Sequence, residues 1–236
     1  MAKTAREYRE LLLAGRWFQG LPAPFQDRLL DSGVMRNLAS EERLFSRGDA
    51  PEGLYAALSG SLRIAGLSEA GKEAVLAVVE PPQWFGEIAV FDRLPRTHDG
   101  IAAVDSVVLH VPTAALDAML GEYPEWWRDL GLLVTTKLRL AFVVMEDMAL
   151  LPLLPRVARR LVLMAEGYGE WSDRSARVVK VSQEILAAMV SSSRQSANQA
   201  LKELEARGLI KVSYGEIELL DLAALISLAP GGRGSG

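Results

Sequence analysis

The sequence runs to 236 residues, 50 per cent hydrophobic and 24 per cent charged, which is room for one or two domains with a buried core. It holds no cysteine and only two histidines, His98 and His110, which excludes disulfides, cysteine-ligated zinc or iron–sulfur clusters and cysteine nucleophiles, and leaves little for a histidine-rich metal centre. Charge is uneven: residues 1–154 carry 15 Lys+Arg against 21 Asp+Glu, and residues 155–236 carry 11 against 9, so the C-terminal third is the part suited to a polyanion.

The first residues, Met-Ala-Lys-Thr-Ala-Arg-Glu, lack the apolar stretch of a signal peptide. No apolar run reaches ~18 residues, so no membrane helix is expected and the cytosol is the simplest location. Residues 6–31 read as helices. Tyr8, Leu11, Leu12, Leu13, Trp17 and Phe18 supply apolar positions, Pro22 and Pro24 break the pattern, and Phe25, Leu29 and Leu30 resume it. From Arg43 to Val111 short apolar runs sit between turn residues: 54–58 before Ser59-Gly60-Ser61, 62–64 before Glu69-Ala70-Gly71, 75–79 before Pro81-Pro82, then 102–111. Short strands at such spacing argue for a β sandwich or barrel.

Residues 113–120 read as a short helix, and Pro124 opens a long one over Trp126 to Leu151. Val134, Leu138, Ala141, Met145 and Met148 recur at alternating steps of four and three, the pattern of a coiled-coil seam. Leu132, Leu133, Leu140, Phe142, Val143 and Val144 lie off that seam, so the helix must be covered on more than one face. The economical arrangement sets one face on the β domain and the seam against a second copy. The alternative is a helix buried inside a monomer. Pro152 and Pro155 end the helix and mark a hinge. Residues 156–168 then read as a helix, 167–175 as a loop and 177–181 as a short strand.

A second chemistry begins at Ser182. Residues 182–190 form a short helix with an apolar stripe at Ile185, Leu186 and Met189, interrupted by Ser191-Ser192-Ser193. A second helix, Arg194 to Arg207, turns Ala197, Ala200, Leu201 and Leu204 inward and stops at Gly208. Residues 209–212 and 216–219 around Ser213-Tyr214-Gly215 read as a hairpin. Two short helices, a tight turn and a wing are the pattern of a winged helix-turn-helix. The N-terminal end of the second helix would enter the major groove of double-stranded DNA. There Arg194 can give a guanine two parallel hydrogen bonds. Gln195, Asn198 and Gln199 share the exposed face and can meet adenine edges or phosphates. Ser191, Ser192 and Ser193 can cap the second helix and bond phosphate oxygens, and Ser182 and Gln183 are counted with Ser192 and Ser193 as DNA-binding residues. The alternative is a helical packing domain with a polar face.

Taken together these residues resemble the cAMP receptor protein and fumarate-nitrate regulator family of bacterial transcription factors, over about residues 25–220. Gly86-Glu87-Ile88 with Pro95-Arg96-Thr97 is similar to the family's phosphate-binding cassette. Val181-Ser182-Gln183-Glu184-Ile185, Ser193-Arg194-Gln195-Ser196 and Leu201-Lys202-Glu203-Leu204-Glu205 resemble its DNA-reading segment. The resemblance implies an α+β fold: an N-terminal cyclic-nucleotide-binding-like β-roll (jelly roll) with its helices over 1–123, a dimerisation helix and hinge over 124–152, a winged helix-turn-helix over 153–229, and a tail over 230–236 that is expected to be disordered. It implies a homodimer that binds near-palindromic DNA, contacts RNA polymerase and is not an enzyme.

Two nucleotides are candidate effectors, and no other cofactor or metal is implied. In a cAMP site Gly86 would let the backbone approach the ligand, Glu87 would accept a ribose hydroxyl, Arg96 would neutralise the phosphate and Thr97 would add a donor. Where cAMP-binding relatives place a hydroxyl pair on the dimer helix, this chain has Ala141 and Phe142. His98 and Asp99 also replace a small residue beside the cassette. Arg96-Thr97-His98-Asp99 has the Arg-x-x-Asp spacing of cyclic di-GMP sites, but so does Arg28-Leu29-Leu30-Asp31. The remaining readings are a regulator competent without ligand, a structural Glu87–Arg96 ion pair, a nucleotide-binding subunit that leaves DNA alone, and a β-barrel enzyme, for which no acid–base cluster is found beyond this one loop. His110, between Leu109 and Val111, reads as a strand residue rather than a ligand. Gln199 stands where some relatives carry arginine, so their operator does not transfer.

Overall fold

A computed structural model describes residues 3–67, 73–169 and 177–228. A 3-10 turn at Ala5–Tyr8 leads into α1 (Arg9–Leu13), α2 (Arg16–Gln19) and α3 (Ala23–Asp31). Pro22 and Pro24 flank the start of α3, where the missing N–H donors cost nothing because first-turn amides have no helical partner. Among the described residues eight strands follow: β1 (Val34–Leu38), β2 (Arg43–Phe45), β3 (Gly53–Ser59), β4 (Leu62–Leu67), β5 (Glu73–Val79), β6 (Trp84–Phe85), β7 (Asp99–Ala102) and β8 (Ser106–Pro112). The short helix α4 (Ile88–Asp92) lies between β6 and β7. One sheet runs β1-β8-β3-β6 and the other β2-β7-β4-β5.

The continuous apolar run at 54–58 follows from its place in this β-roll. In β3, Leu54, Ala56 and Leu58 join the core of Phe18, Phe25, Trp84 and Leu109. Tyr55 and Ala57 point the other way, into the cluster of Phe45, Leu62, Phe85 and Val108. A strand covered on both faces needs apolar side chains at every position rather than at alternate ones.

Downstream come α5 (Thr113–Glu122) and α6 (Trp126–Leu150). Trp126 stacks on Phe25 at 4.6 Å and on Tyr123 at 4.3 Å, and Trp17 donates its indole N–H to the Asp129 carbonyl at 2.7 Å. These contacts fasten the start of the long helix to the N-terminal helices. The described residues fall into two compact units, 3–67 with 76–137, and 73–75 with 138–169 and 177–228.

The second unit holds the C-terminal half of α6, then α7 (Leu153–Ala165), a 3-10 turn at Gly167–Gly169, β9 (Val178–Val179), α8 (Gln183–Met189), α9 (Arg194–Ala206), β10 (Ile210–Ser213), β11 (Glu216–Leu219) and α10 (Leu222–Ser227). The small sheet is ordered β10-β11-β9. The α+β architecture is as expected, with local differences. Strands β1, β2 and β6 and helices α4 and α10 were not foreseen, and residues 102–111 are two strands parted by a turn rather than one. Helix α7 starts at Leu153 rather than 156, because Pro155 falls in its first turn, where proline is tolerated. The remainder of the expected 167–175 loop and the tail at 230–236 lie outside the described residues.

Candidate nucleic-acid interface and β-roll site

The C-terminal unit is assembled by its caps. Ser182 Oγ accepts from the Ile185 amide at 3.1 Å and starts α8. Ser193 Oγ accepts from the Ser196 amide at 3.1 Å and starts α9. Ser192 donates to the Ser193 carbonyl at 3.3 Å, and Ser191 makes the tight turn with φ +49°. Gly208 ends α9 with φ +71°, a conformation that favours glycine. Ala197, Ala200, Leu201 and Leu204 are buried, as the helical period requires.

The opposite face of α9 carries Arg194, Gln195 and Gln199, all exposed, with Asn198 half-buried. Among the described residues none of these four side chains is engaged by another part of the chain, so their donors and acceptors are available to a ligand. Gln183 is half-buried in the first turn of α8. The sequence placed one further exposed residue in the wing's turn without giving it a site role. Tyr214, at the turn of the β10–β11 hairpin, is wholly exposed. An aromatic in the middle of Ser-Tyr-Gly was the available signal.

The β-roll site is built differently from the expectation. Arg96 is buried, and its Nη1 donates to the Gly86 carbonyl at 3.0 Å and its Nη2 to the Gly53 carbonyl at 2.8 Å. The guanidinium lies against Phe45 and Tyr55, 4.6 Å and 5.3 Å from their ring centres. Gly86 has φ +92°, and a Cβ there would sit 2.9 Å from Arg96 Nη1. The bare backbone thus makes room for Arg96 itself. Glu87 is buried and does not pair with Arg96. Its Oε2 accepts from Lys137 Nζ at 2.8 Å, and the same ammonium donates to the Trp84 carbonyl at 2.6 Å. The Glu87–Arg96 ion pair is therefore absent, because each side chain finds a nearer partner. Lys137 and Arg139 are the only charged residues between Asp129 and Glu146. That isolation was the sequence signal for Lys137.

Asp99 is likewise committed. Its Oδ2 accepts from Arg43 at 3.0 Å and its Oδ1 from the Arg47 amide at 2.6 Å. Ile88 is exposed on α4. Thr97 is exposed, its hydroxyl 2.9 Å from His98 Nδ1. Burial, reinforced by the Arg47 charge, holds the His98 ring below its ordinary pKa, with Asp99 opposing. His110 stacks on Tyr55 at 4.7 Å, lies 3.1 Å from the Glu52 carbonyl through Nε2, and is also lowered by burial. It is a satisfied strand residue. Ala141 and Phe142 are exposed on the half of α6 that belongs to the second unit. On the seam, Leu138, Ala141 and Met145 are exposed and Val134 and Met148 half-buried.

Residues 35–123 match the cyclic nucleotide-binding domain family, and residues 155–228 match the Crp-like helix-turn-helix domain family. The chain is 31% identical over 182 residues to the transcriptional regulator SdrP of Thermus thermophilus, covering 77% of this chain and 86% of that protein. It is 27% identical over 179 residues to a CRP-like cAMP-activated global transcriptional regulator of Mycobacterium tuberculosis, covering 75% and 80%. A solved CRP/FNR-family regulator from Thermus thermophilus superposes with a TM-score of 0.66 at 28% identity, covering 85% of this chain and all of that one. The chain belongs to the Crp/Fnr family. As a Crp/Fnr protein it is a DNA-binding transcription regulator and not an enzyme. No described helix of this Crp/Fnr chain is long and apolar enough to cross a membrane.

Proposed function

We propose that the protein acts as a homodimer on a two-fold symmetric operator and that a cyclic mononucleotide in the β-roll controls it. Arg96 carries the effector reading. Its two terminal nitrogens each donate one bond to a carbonyl, while its buried Nε has no hydrogen-bond partner among the described residues. A buried donor left unmade costs about 1–3 kcal/mol, and a cyclic phosphate supplies the oxygens that would take it. Glu87 can then accept a ribose hydroxyl on Oε1 while Oε2 keeps Lys137. The Mycobacterium tuberculosis relative described as cAMP-activated supports the same ligand class. Cyclic di-GMP fits less well, since both oxygens of Asp99 already accept hydrogen bonds.

On the DNA, Arg194, Gln195, Asn198 and Gln199 read base edges, while Ser182, Gln183, Ser192 and Ser193 lie at the helix N-termini that face phosphates. Val134, Leu138, Ala141, Met145 and Met148 form the dimer seam. RNA polymerase follows as a partner on the family resemblance alone. A second reading, a regulator competent without ligand, is favoured by one observation: Lys137 on α6 already holds Glu87.

Calorimetry with cAMP, cGMP and cyclic di-GMP tests the effector. One cyclic mononucleotide should bind the wild type and lose at least tenfold affinity in Arg96→Gln. Undiminished affinity in that variant, or binding of cyclic di-GMP alone, would overturn the assignment. No nucleotide binding, with operator affinity indifferent to all three, would establish the ligand-free reading instead.

A further inference from the structure

Helices α6 and α7 are joined by more than the chain between them. Arg156, in the first turn of α7, donates to the Met148 carbonyl at 3.3 Å, in the last turn of α6, where helix carbonyls lack helical partners. Three residues on, Arg159 Nε lies 3.7 Å from Asp147 Oδ2, and both side chains are shielded from solvent, at 8% and 13% exposure. The next residue, Arg160, is buried and donates to the Met189 carbonyl at 3.1 Å. Met189 is the last residue of α8, separated by Val190 from the Ser191-Ser192-Ser193 turn whose Ser193 caps α9. Helix α7 also packs along α9. A series of charge-assisted contacts therefore runs from Asp147, through two adjacent arginines, to the base of the recognition helix.

Such an investment in buried charge is hard to explain as stability. Desolvating a carboxylate and a guanidinium offsets most of their attraction, and apolar side chains of the same volume often serve as well. Burial pushes the Asp147 carboxyl up, with Arg159 and Arg160 both opposing the shift. What a buried ion pair supplies well is a single geometry. We propose that Asp147, Arg159 and Arg160 are positioning residues that fix the angle between α6 and the recognition helix, and so set the half-site spacing the dimer accepts. This rests on the dimeric DNA-binding reading above. Two recognition helices must stand about 34–36 Å apart to enter successive major grooves. An error of angle at each hinge moves both helix ends, so spacing is the property most sensitive to the ion pair.

The test uses full-length protein and an operator obtained by selection from random duplexes. Operators with one or two base pairs added between the half-sites, and a single half-site duplex, are compared. The wild type should discriminate against altered spacing at least tenfold. Asp147→Asn should lose most of that discrimination while binding the single half-site within about twofold of wild type, which also shows that its reading unit is folded. The double swap Asp147→Arg with Arg159→Asp should restore the discrimination. If Asp147→Asn discriminates spacing as the wild type does, or if it loses half-site and full-site binding in equal proportion, the positioning role is wrong. A wild type that selects no sequence would instead defeat the DNA-binding reading.

Discussion

Arg194 occupies the first position of α9, exposed, with no partner among the described residues competing for its guanidinium. A bidentate arginine–guanine pair contributes about 1–3 kcal/mol of discrimination, so Arg194→Ala should weaken operator binding by that amount and relax one base position. Selection from random duplexes reads both effects, and an unchanged selected sequence would remove Arg194 from base readout. The position was legible in the sequence because everything that defines it is local. The serine cap, the inward spacing of Ala197, Leu201 and Leu204 and the glycine stop fall within one helix and its ends. The β-roll site was less legible for the opposite reason. Glu87 and Arg96 were found as a motif, but their partners were not. Lys137 lies fifty residues from Glu87, and Gly53 lies 43 residues from Arg96. Strand pairing and helix placement bring those groups together, and no periodicity encodes them. Gly86 shows the same limit: its need for glycine was apparent, but the group it makes room for is Arg96.

The recognition helix begins where it does because Ser193 supplies the side-chain acceptor that its first turn lacks. Ser193→Ala should destabilise the C-terminal unit by about 0.5–2 kcal/mol, and Ser193→Asp should retain most of that stability. Urea denaturation followed by circular dichroism measures both. Equal loss in the two variants would mean the hydroxyl serves something other than the cap. Elements with such signals were readable from sequence: α6 by its apolar period, α8 by its apolar stripe, α9 by its serine cap, the wing by its hairpin pattern. Those that escaped are stabilised from elsewhere in the chain. Strand β1, Val-Met-Arg-Asn-Leu, is mostly exposed or half-buried and shows no apolar alternation. It is a strand because it pairs antiparallel with β8, from Val34 opposite His110 to Leu38 opposite Ser106. Helix α4 spans only five residues, too few to nucleate on its own propensity, and its buried Ala89 and Val90 hold it to the β-roll. Helix α7 shows that a proline pair can mark a new helix's first turn as well as an old helix's end.

One chain carries one recognition helix, and a two-fold operator is read tightly only when two such helices are tied together. The tie proposed here is the α6 seam. In a single chain Leu138 is 50% and Met145 64% exposed, while Leu133 on another face of the same helix is fully buried. A helix apolar on two faces, one of them open, has a surface that burial against a second copy would remove from water. Leu138→Glu places a carboxylate on that seam in each of two copies, where desolvation and mutual repulsion both oppose association. Because Leu138 is half exposed in the single chain, the substitution should leave each chain folded. Arg139→Glu, exposed and off the seam, is the matched control of altered charge. Sedimentation at micromolar concentration should show the wild type and Arg139→Glu at twice the chain mass of 25.7 kDa and Leu138→Glu near the chain mass itself. Operator affinity should fall with it by about 10²–10⁴, the gain that linkage of two half-site contacts provides, while single half-site affinity stays level. If Leu138→Glu sediments with the wild type, the exposed stripe on α6 is covered by something other than a second α6, and the pairing of the two recognition helices must come from elsewhere.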